Sequence, residues 1–175
     1  MKIAVTGTHR VGKSSLAEKL KEVLPGFESR AEAYEELMEA GHEFPEIPSP
    51  DDYLLLLNHS IKQFDTSQAN IIYDRCPLDY LAYILATADF ANFDIRSWYQ
   101  RVKDIMKQID LLVFVPIEYP DLIYCPESGL PGLRLKVNDI LIDWLGEYNQ
   151  DYIEVSGSVQ SRATRVIDHL SIKNL

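Results

Sequence analysis

Eight residues near the start constrain this chain more than any others. Gly7-Thr8-His9-Arg10-Val11-Gly12-Lys13-Ser14 satisfies the pattern G-x-x-x-x-G-K-[ST]. Its surroundings sharpen the reading. The β-rich run Lys2–Thr6 precedes it, and Leu16, Ala17, Leu20, Val23 and Leu24 follow at helical spacing until Pro25-Gly26 stops the helix. In a strand–loop–helix the two glycines allow a tight wrap in which amide N–H groups point inward at an anion. The helix N-terminus adds partial positive charge. Residues Gly7 to Ser14, together with Ser15, are therefore expected to bind the phosphates of ATP. Lys13 would neutralise the β and γ phosphates and Ser14 would ligate Mg²⁺. The competing reading is an ordinary Gly-rich turn before a helix.

Beyond this loop the chain alternates strand and helix. A weak strand at Phe27–Arg30 leads to a short helix at Ala33–Ala40. The proline-bearing stretch His42–Pro50 has no regular structure, and a helix from near Asp51 carries Leu54, Leu57, Ile61 and Phe64. Asn70–Tyr73 reads as a buried strand and Pro77 as the first turn of a helix through Leu85. A helix from about Ser97 to Ile109 runs into the apolar strand Leu111–Val115. After Pro116–Pro131 come a helix carrying Leu133, Val137, Ile140, Leu141 and Trp144, a strand at Tyr152–Val155, and a last helix. Five strands of continuous rather than alternating apolar character imply an α/β fold, a three-layer αβα sandwich around a five-stranded parallel sheet. A length of 175 residues suits one domain spanning residues 1–175. The loop at about 116–133 is long for a connector and is expected to act as a lid.

Charge and composition exclude several classes. There are 17 Lys plus Arg against 27 Asp plus Glu, a net charge of −10, which opposes binding of nucleic acid by bulk electrostatics. Cys76 and Cys125 cannot build a disulfide framework or a Cys-rich zinc site, and the four histidines show no ligand spacing. No run approaches the roughly 20 apolar residues of a membrane span. Ile3–Val5 is too short for the core of a signal peptide. The expectation is a cytoplasmic protein, of a bacterium or a phage-infected host, with no membrane partner. A homodimer stays open.

A second site follows the strand Asn70–Tyr73 directly. Asp74-Arg75 lies at the C-terminal end of a parallel strand, which faces the ligand crevice of such sheets. Asp74 is placed to hold the Mg²⁺ hydration shell or take a proton from an acceptor hydroxyl, and Arg75 to fork onto a phosphoryl oxygen. A salt-bridged pair at a strand end is the competing reading. The loop with Arg10 as its fourth residue, Asp74-Arg75 and Ala82-Tyr83 together resemble the thymidylate kinase family of P-loop nucleoside and nucleotide kinases, with G-x-D-R-x-G-K-[ST] and D-R-Y-x-x-S-x-x-A-Y. The rest of the chain is also similar to the ribosylnicotinamide-kinase-like group.

The resemblance implies that Arg10 stabilises the transferring phosphoryl group. Residues Pro116 to Leu133 contain no Arg or Lys, consistent with that role. Arg134 is then the candidate to close over the nucleotide from the far side. Ser156-Gly157-Ser158 and Arg162 occupy the place where such kinases hold the adenine, although Ser156 or Ser158 could equally cap the last helix. Glu32 sits where similar kinases place an acid that binds or activates the acceptor hydroxyl, so it competes with Asp74 as general base. Two departures bear on the acceptor. His9 replaces the loop Asp that usually meets the acceptor sugar, and the helix Leu54–His59 lacks the Arg that grips an acceptor monophosphate.

Other residues carry two readings each. Tyr80, Tyr83 and Phe64 could stack on an acceptor base or fill the core. Asp79 is a helix N-terminal carboxylate or a ligand. Cys76 has no base partner in sequence and reads as a structural thiol.

The expected activity is ATP-dependent phosphoryl transfer to a hydroxyl of a nucleoside-type acceptor. The specific form resembles phage enzymes that phosphorylate 5-hydroxymethyluracil in DNA, with Arg96, Arg101, Lys103 and Lys107 as a basic face. Alternatives are a free nucleoside, a nucleoside monophosphate or nicotinamide riboside. A regulatory ATPase is the non-kinase alternative. A GTPase switch fits poorly, because the Asp143–Gly146 Asp-x-x-Gly lies within a helix and no guanine-reading motif is present.

Overall fold

The computed structural model describes residues 1–66, 68–87, 95–121, 123–148 and 151–173. The chain runs β1 (Lys2–Thr6), α1 (Lys13–Val23), β2 (Glu28–Arg30), α2 (Ala33–Glu39), α3 (Pro50–Gln63), β3 (Ile71–Asp74), α4 (Pro77–Ala86), α5 (Ile95–Met106), β4 (Leu111–Phe114), α6 (Pro131–Tyr148), β5 (Tyr152–Glu154) and α7 (Val159–Lys173). All strand pairings are parallel and the sheet order is β2-β3-β1-β4-β5. Alternation along the central strands feeds two apolar layers. Ile3, Val5, Ile72, Leu111 and Val113 join α1 and α7 on one face, whereas Ala4, Ile71, Tyr73, Leu112 and Phe114 join α3, α4, α5 and α6 on the other. The three-layer sandwich expected from the sequence is the observed fold. No helix among the described residues is long and apolar enough to cross a membrane.

This winding creates the crevice. The connection from β1 passes to the α1 face and that from β3 to the α4 face, so the loops after these neighbouring strands diverge above their C-terminal ends. Local chemistry starts each helix there differently. Ser49 caps α3 through a reciprocal box with Asp52, and Pro50 presets its first turn. α4 has Cys76 before Pro77, with the Asp79 carboxylate reaching back to the Cys76 amide. α1 has no side-chain cap. It starts after Gly12 at φ 85°, leaving its first-turn amides for a ligand.

Most strand boundaries move by one residue from the sequence reading, and two segments differ more. α5 ends at Met106, three residues before Ile109, because Gln108 and Ile109 turn back onto the Ile105 and Met106 carbonyls ahead of β4. The segment at 116–133, in which Leu122 lies outside the described residues, carries a 3₁₀ turn at Glu127–Gly129, and α6 begins at Pro131.

Candidate active site

The phosphate loop leaves β1 at a point only glycine can occupy. Gly7 has φ 148°, and a Cβ there would lie 2.4 Å from the Val115 carbonyl oxygen. Asp79, fully buried, fixes this exit. Its carboxylate accepts hydrogen bonds from the Thr6 hydroxyl (3.0 Å) and from the amides of Gly7 (2.9 Å) and Cys76 (2.9 Å). Cys76 is fully buried at this cap, as a structural thiol would be. Asp79 thus joins the loop after β1 to the start of α4. Asp79→Ala is expected to lower the unfolding free energy by about 3–5 kcal/mol, measured by urea denaturation, because three buried donors lose their acceptor.

Within the loop, Lys13 is 5% exposed and its Nζ donates to the Thr8 carbonyl at 2.6 Å. Burial, then the Arg75 charge, lowers its ammonium from 10.5 to about 7, against the pull of Asp79, Asp74 and Glu32. Ser14 and Ser15 are exposed in the first turn of α1. Asp74 ends β3 opposite Val5, buried, with Oδ1 accepting no hydrogen bond among the described residues. Burial raises its carboxyl above the usual range, and Lys13, the Ser14 hydroxyl and Arg75 offset that only in part. The Ser14 hydroxyl beside an orphaned carboxylate oxygen is a hard-oxygen set of the kind Mg²⁺ takes.

Arg75 adopts φ 72°, a strained value for a side-chain-bearing residue. That turn swings its guanidinium back onto the Glu32 carboxylate, with Nη1 on the Gly7 carbonyl (3.1 Å) and 3.6 Å from Asp79. Burial would raise the Glu32 carboxyl, but the Arg75 and Lys13 charges and the Arg75 hydrogen bond hold it below the usual carboxylate range. Glu32 is ionised at neutral pH. His9 is uncharged at that pH, lowered to about 4 by burial and by the Arg75, Lys13 and Arg134 charges, against the raising effect of its Gly129 hydrogen bond. Its tautomer follows from its partners. Nε2–H donates to the Gly129 carbonyl (2.6 Å), so Nδ1 accepts from the Tyr83 hydroxyl (2.7 Å), whose oxygen also receives the His9 amide (2.8 Å).

Two cavities flank the loop. One, about 450 Å³, is lined by His9, Arg10, Glu32, Arg75, Tyr53, Tyr80 and Tyr83 among others. Tyr53 and Tyr83 are stacked with centroids 5.3 Å apart, and the Tyr80 hydroxyl is buried without a partner among the described residues. The other, about 380 Å³, lies between Val11, Pro116, Glu118, Asp121, Arg134, Gly157 and Arg162. A family model described as an AAA domain matches residues 2–162. The chain belongs to that family. No protein of curated function matches it. Among solved structures, it is similar to deoxyadenosine kinase from M. mycoides (TM-score 0.68, 19% identity, 98% of this chain and 99% of that one). It is also similar to thymidylate kinase from Candida albicans (0.66, 15%, 99% and 92%) and to the NadR protein in complex with NR (0.68, 15%, 97% and 48%). The fold is that of P-loop kinases.

The structure places most of the residues singled out from sequence around this loop. Phe64 is an exception: it stacks on Tyr73 in the core, centroids 4.0 Å apart, and lines neither cavity. Arg96, Arg101 and Lys103 lie on α5 and Lys107 just after its end, all outside both linings. Ser158 caps α7 through the Ser161 amide, and Gly157 donates its amide to Glu118. Arg134 lines the smaller cavity, and its guanidinium pairs with Asp121 and donates to the His9 and Arg10 carbonyls. Sequence reasoning missed Tyr53, Glu118 and Asp121. The only local signal was their position, on the proline-capped α3 and just after an apolar strand.

Proposed function

We propose that the chain is an ATP-dependent kinase acting on a hydroxyl of a nucleoside-type acceptor. One observation carries this reading: loop residues His9 and Arg10 line one cavity and Val11 the other, so a triphosphate in the loop joins a base on one side to an acceptor on the other. The base lies in the cavity between Pro116, Gly157 and Arg162. Loop amides and the Lys13 ammonium bind the β and γ phosphates, and Arg10 and Arg75 face the transferring group. Ser14 and Asp74 would hold Mg²⁺, which supplies charge neutralisation of the phosphates when bound.

Glu32 serves as the general base. It lines the acceptor cavity and is ionised, whereas Asp74 lies outside that lining and its carboxyl is raised by burial. Glu32→Gln is expected to lower kcat about 10²–10⁴-fold with little change in ATP affinity, read by steady-state kinetics and direct binding. The acid limb of the pH–rate profile should disappear with it.

The acceptor is neutral. Arg75 is matched by Glu32 and Asp79, so Arg10 is the one cation lining this cavity without an acidic partner among the described residues. Stacked Tyr53 and Tyr83 offer an aromatic wall to a base. A 5-hydroxymethyluracil within DNA draws no support from the rim, which bears Glu46 and none of the α5 cations. Incubation with γ-labelled ATP and, in parallel, free nucleosides, nucleoside monophosphates, nicotinamide riboside and hydroxymethyluracil-containing DNA decides among them. Label on a free nucleoside is expected. Release only as inorganic phosphate with every acceptor would replace the kinase by an ATPase.

A further inference from the structure

Two buried arginines, remote in sequence, meet on the outer side of the phosphate loop. Arg134, 4% exposed, donates from Nε to the His9 carbonyl (3.1 Å) and from Nη2 to the Arg10 carbonyl (3.1 Å). Arg162, 5% exposed, donates from Nη1 to the Val11 carbonyl (2.7 Å). Carboxylates from the segment after β4 hold both: Asp121 pairs with Arg134, and Glu118 accepts from Arg162 Nη2 (2.8 Å) and from the Gly157 amide (2.7 Å).

The consequence follows from peptide geometry. In a planar trans peptide the carbonyl of one residue and the amide of the next point in opposite directions. Holding the carbonyls of His9, Arg10 and Val11 outward turns the amides of Arg10, Val11 and Gly12 inward. Among the described residues none accepts a hydrogen bond from those amides. The loop does not take this shape freely, since Arg10 sits at φ 54°, where a side-chain-bearing residue is strained by about 1–2 kcal/mol. An unconstrained loop would relax, and its amides would have to be reoriented at each binding event.

We propose that Arg134 and Arg162 are positioning residues that preorganise the phosphate-binding amides by anchoring three consecutive carbonyls, with Asp121 and Glu118 holding the arginines in place. This rests on the nucleotide site argued above and adds the device that shapes it. It also ties the segment after β4 to the loop, so that a base entering the smaller cavity touches the same ion pairs that set the amides.

The test compares Arg134→Lys, Arg162→Lys and Asp121→Asn with the wild-type chain, measuring Kd for Mg-ATP and for magnesium tripolyphosphate alongside thermal unfolding. Lysine keeps the buried stem and the charge but reaches one partner where arginine reaches two or more. Both lysine variants are expected to weaken both ligands at least about tenfold, and Asp121→Asn about threefold. The factor should be equal for the two ligands, because tripolyphosphate has no base. Unchanged affinity in folded variants overturns the proposal. So does a loss confined to ATP, which would make the arginines readers of the base. If the lysine variants do not fold, Asp121→Asn decides, and unchanged tripolyphosphate affinity there is equally fatal. A wild-type chain that binds neither ligand removes the nucleotide site itself, and the arginine role with it.

Discussion

Lys13→Met is expected to abolish phosphoryl transfer, by at least about 10³-fold, while making the unliganded protein more stable. The two effects have one cause. Among the described residues the buried Lys13 ammonium has no carboxylate in direct contact, and its one hydrogen bond is to the Thr8 carbonyl. Burial has lowered it to about 7, so the folded chain releases this proton well before the unfolded chain does near 10.5. Between these values the unfolded state binds more protons, and stability contributed by this group rises with pH. At pH 7 and below the folded chain carries the full cost of the buried charge. Methionine removes that cost at similar volume, so the gain in unfolding free energy should be about 1–3 kcal/mol near pH 6 and should vanish towards pH 10. Urea denaturation across that range measures it. A triphosphate supplies the missing counter-charge, so binding of ATP at pH 8 should take up a fraction of a proton. Calorimetry in buffers of different ionisation enthalpy reads that uptake. A Lys13→Met chain that still turns over would remove the site, and one destabilised equally at every pH would remove the account of the buried ammonium.

The same residue shows what was readable before the structure. Gly7, Gly12, Lys13 and Ser14 act within one turn of chain, so their spacing alone specified the loop and the helix that follows. The central strands were equally plain, because residues buried on both faces leave unbroken apolar runs such as Leu111–Val115. Asp74 and Arg75 could be placed at a strand end. Their division of labour could not, since it depends on Glu32 lying against Arg75 across 43 residues. Asp79 was visible only as an acid in the first turn of a helix. Its grip on Thr6 and Gly7 spans more than 70 residues and leaves no periodic trace. Arg134 could be placed near the nucleotide but its partners could not, because a lone arginine at a helix start does not reveal that the His9 and Arg10 carbonyls and Asp121 lie within its reach. The helical spacing of Phe64, Tyr80 and Tyr83 favoured the core for all three, but spacing does not say which aromatic faces Tyr73 and which lines a cavity.

Arg10→Ala is expected to reduce kcat about 10³-fold while ATP affinity changes less than about threefold. Arg10 is exposed and makes no ion pair among the described residues, yet it is not remote: a Cβ placed on Gly129 would lie 3.1 Å from its Nε. The guanidinium therefore stands between the phosphate loop and the turn that closes the acceptor cavity. There it contributes little to the fold, since its removal deletes no buried contact. In the proposed reaction it would meet negative charge strongly only as a phosphoryl group moves from the loop towards the acceptor, which is the condition for lowering a barrier rather than tightening binding. Other cations are poorly placed to replace it: residues 116–133 contain neither Arg nor Lys, Arg134 is committed to Asp121 and the loop carbonyls, and Arg75 is already matched by Glu32 and Asp79. Arg10→Lys should recover less than about tenfold of the loss, because an ammonium cannot fork across two phosphoryl oxygens. Pre-steady-state transfer from γ-labelled ATP separates the chemical step from product release. A rate unchanged in Arg10→Ala, or a loss matched by an equal rise in Kd for ATP, would move Arg10 from transition-state stabilisation to nucleotide binding.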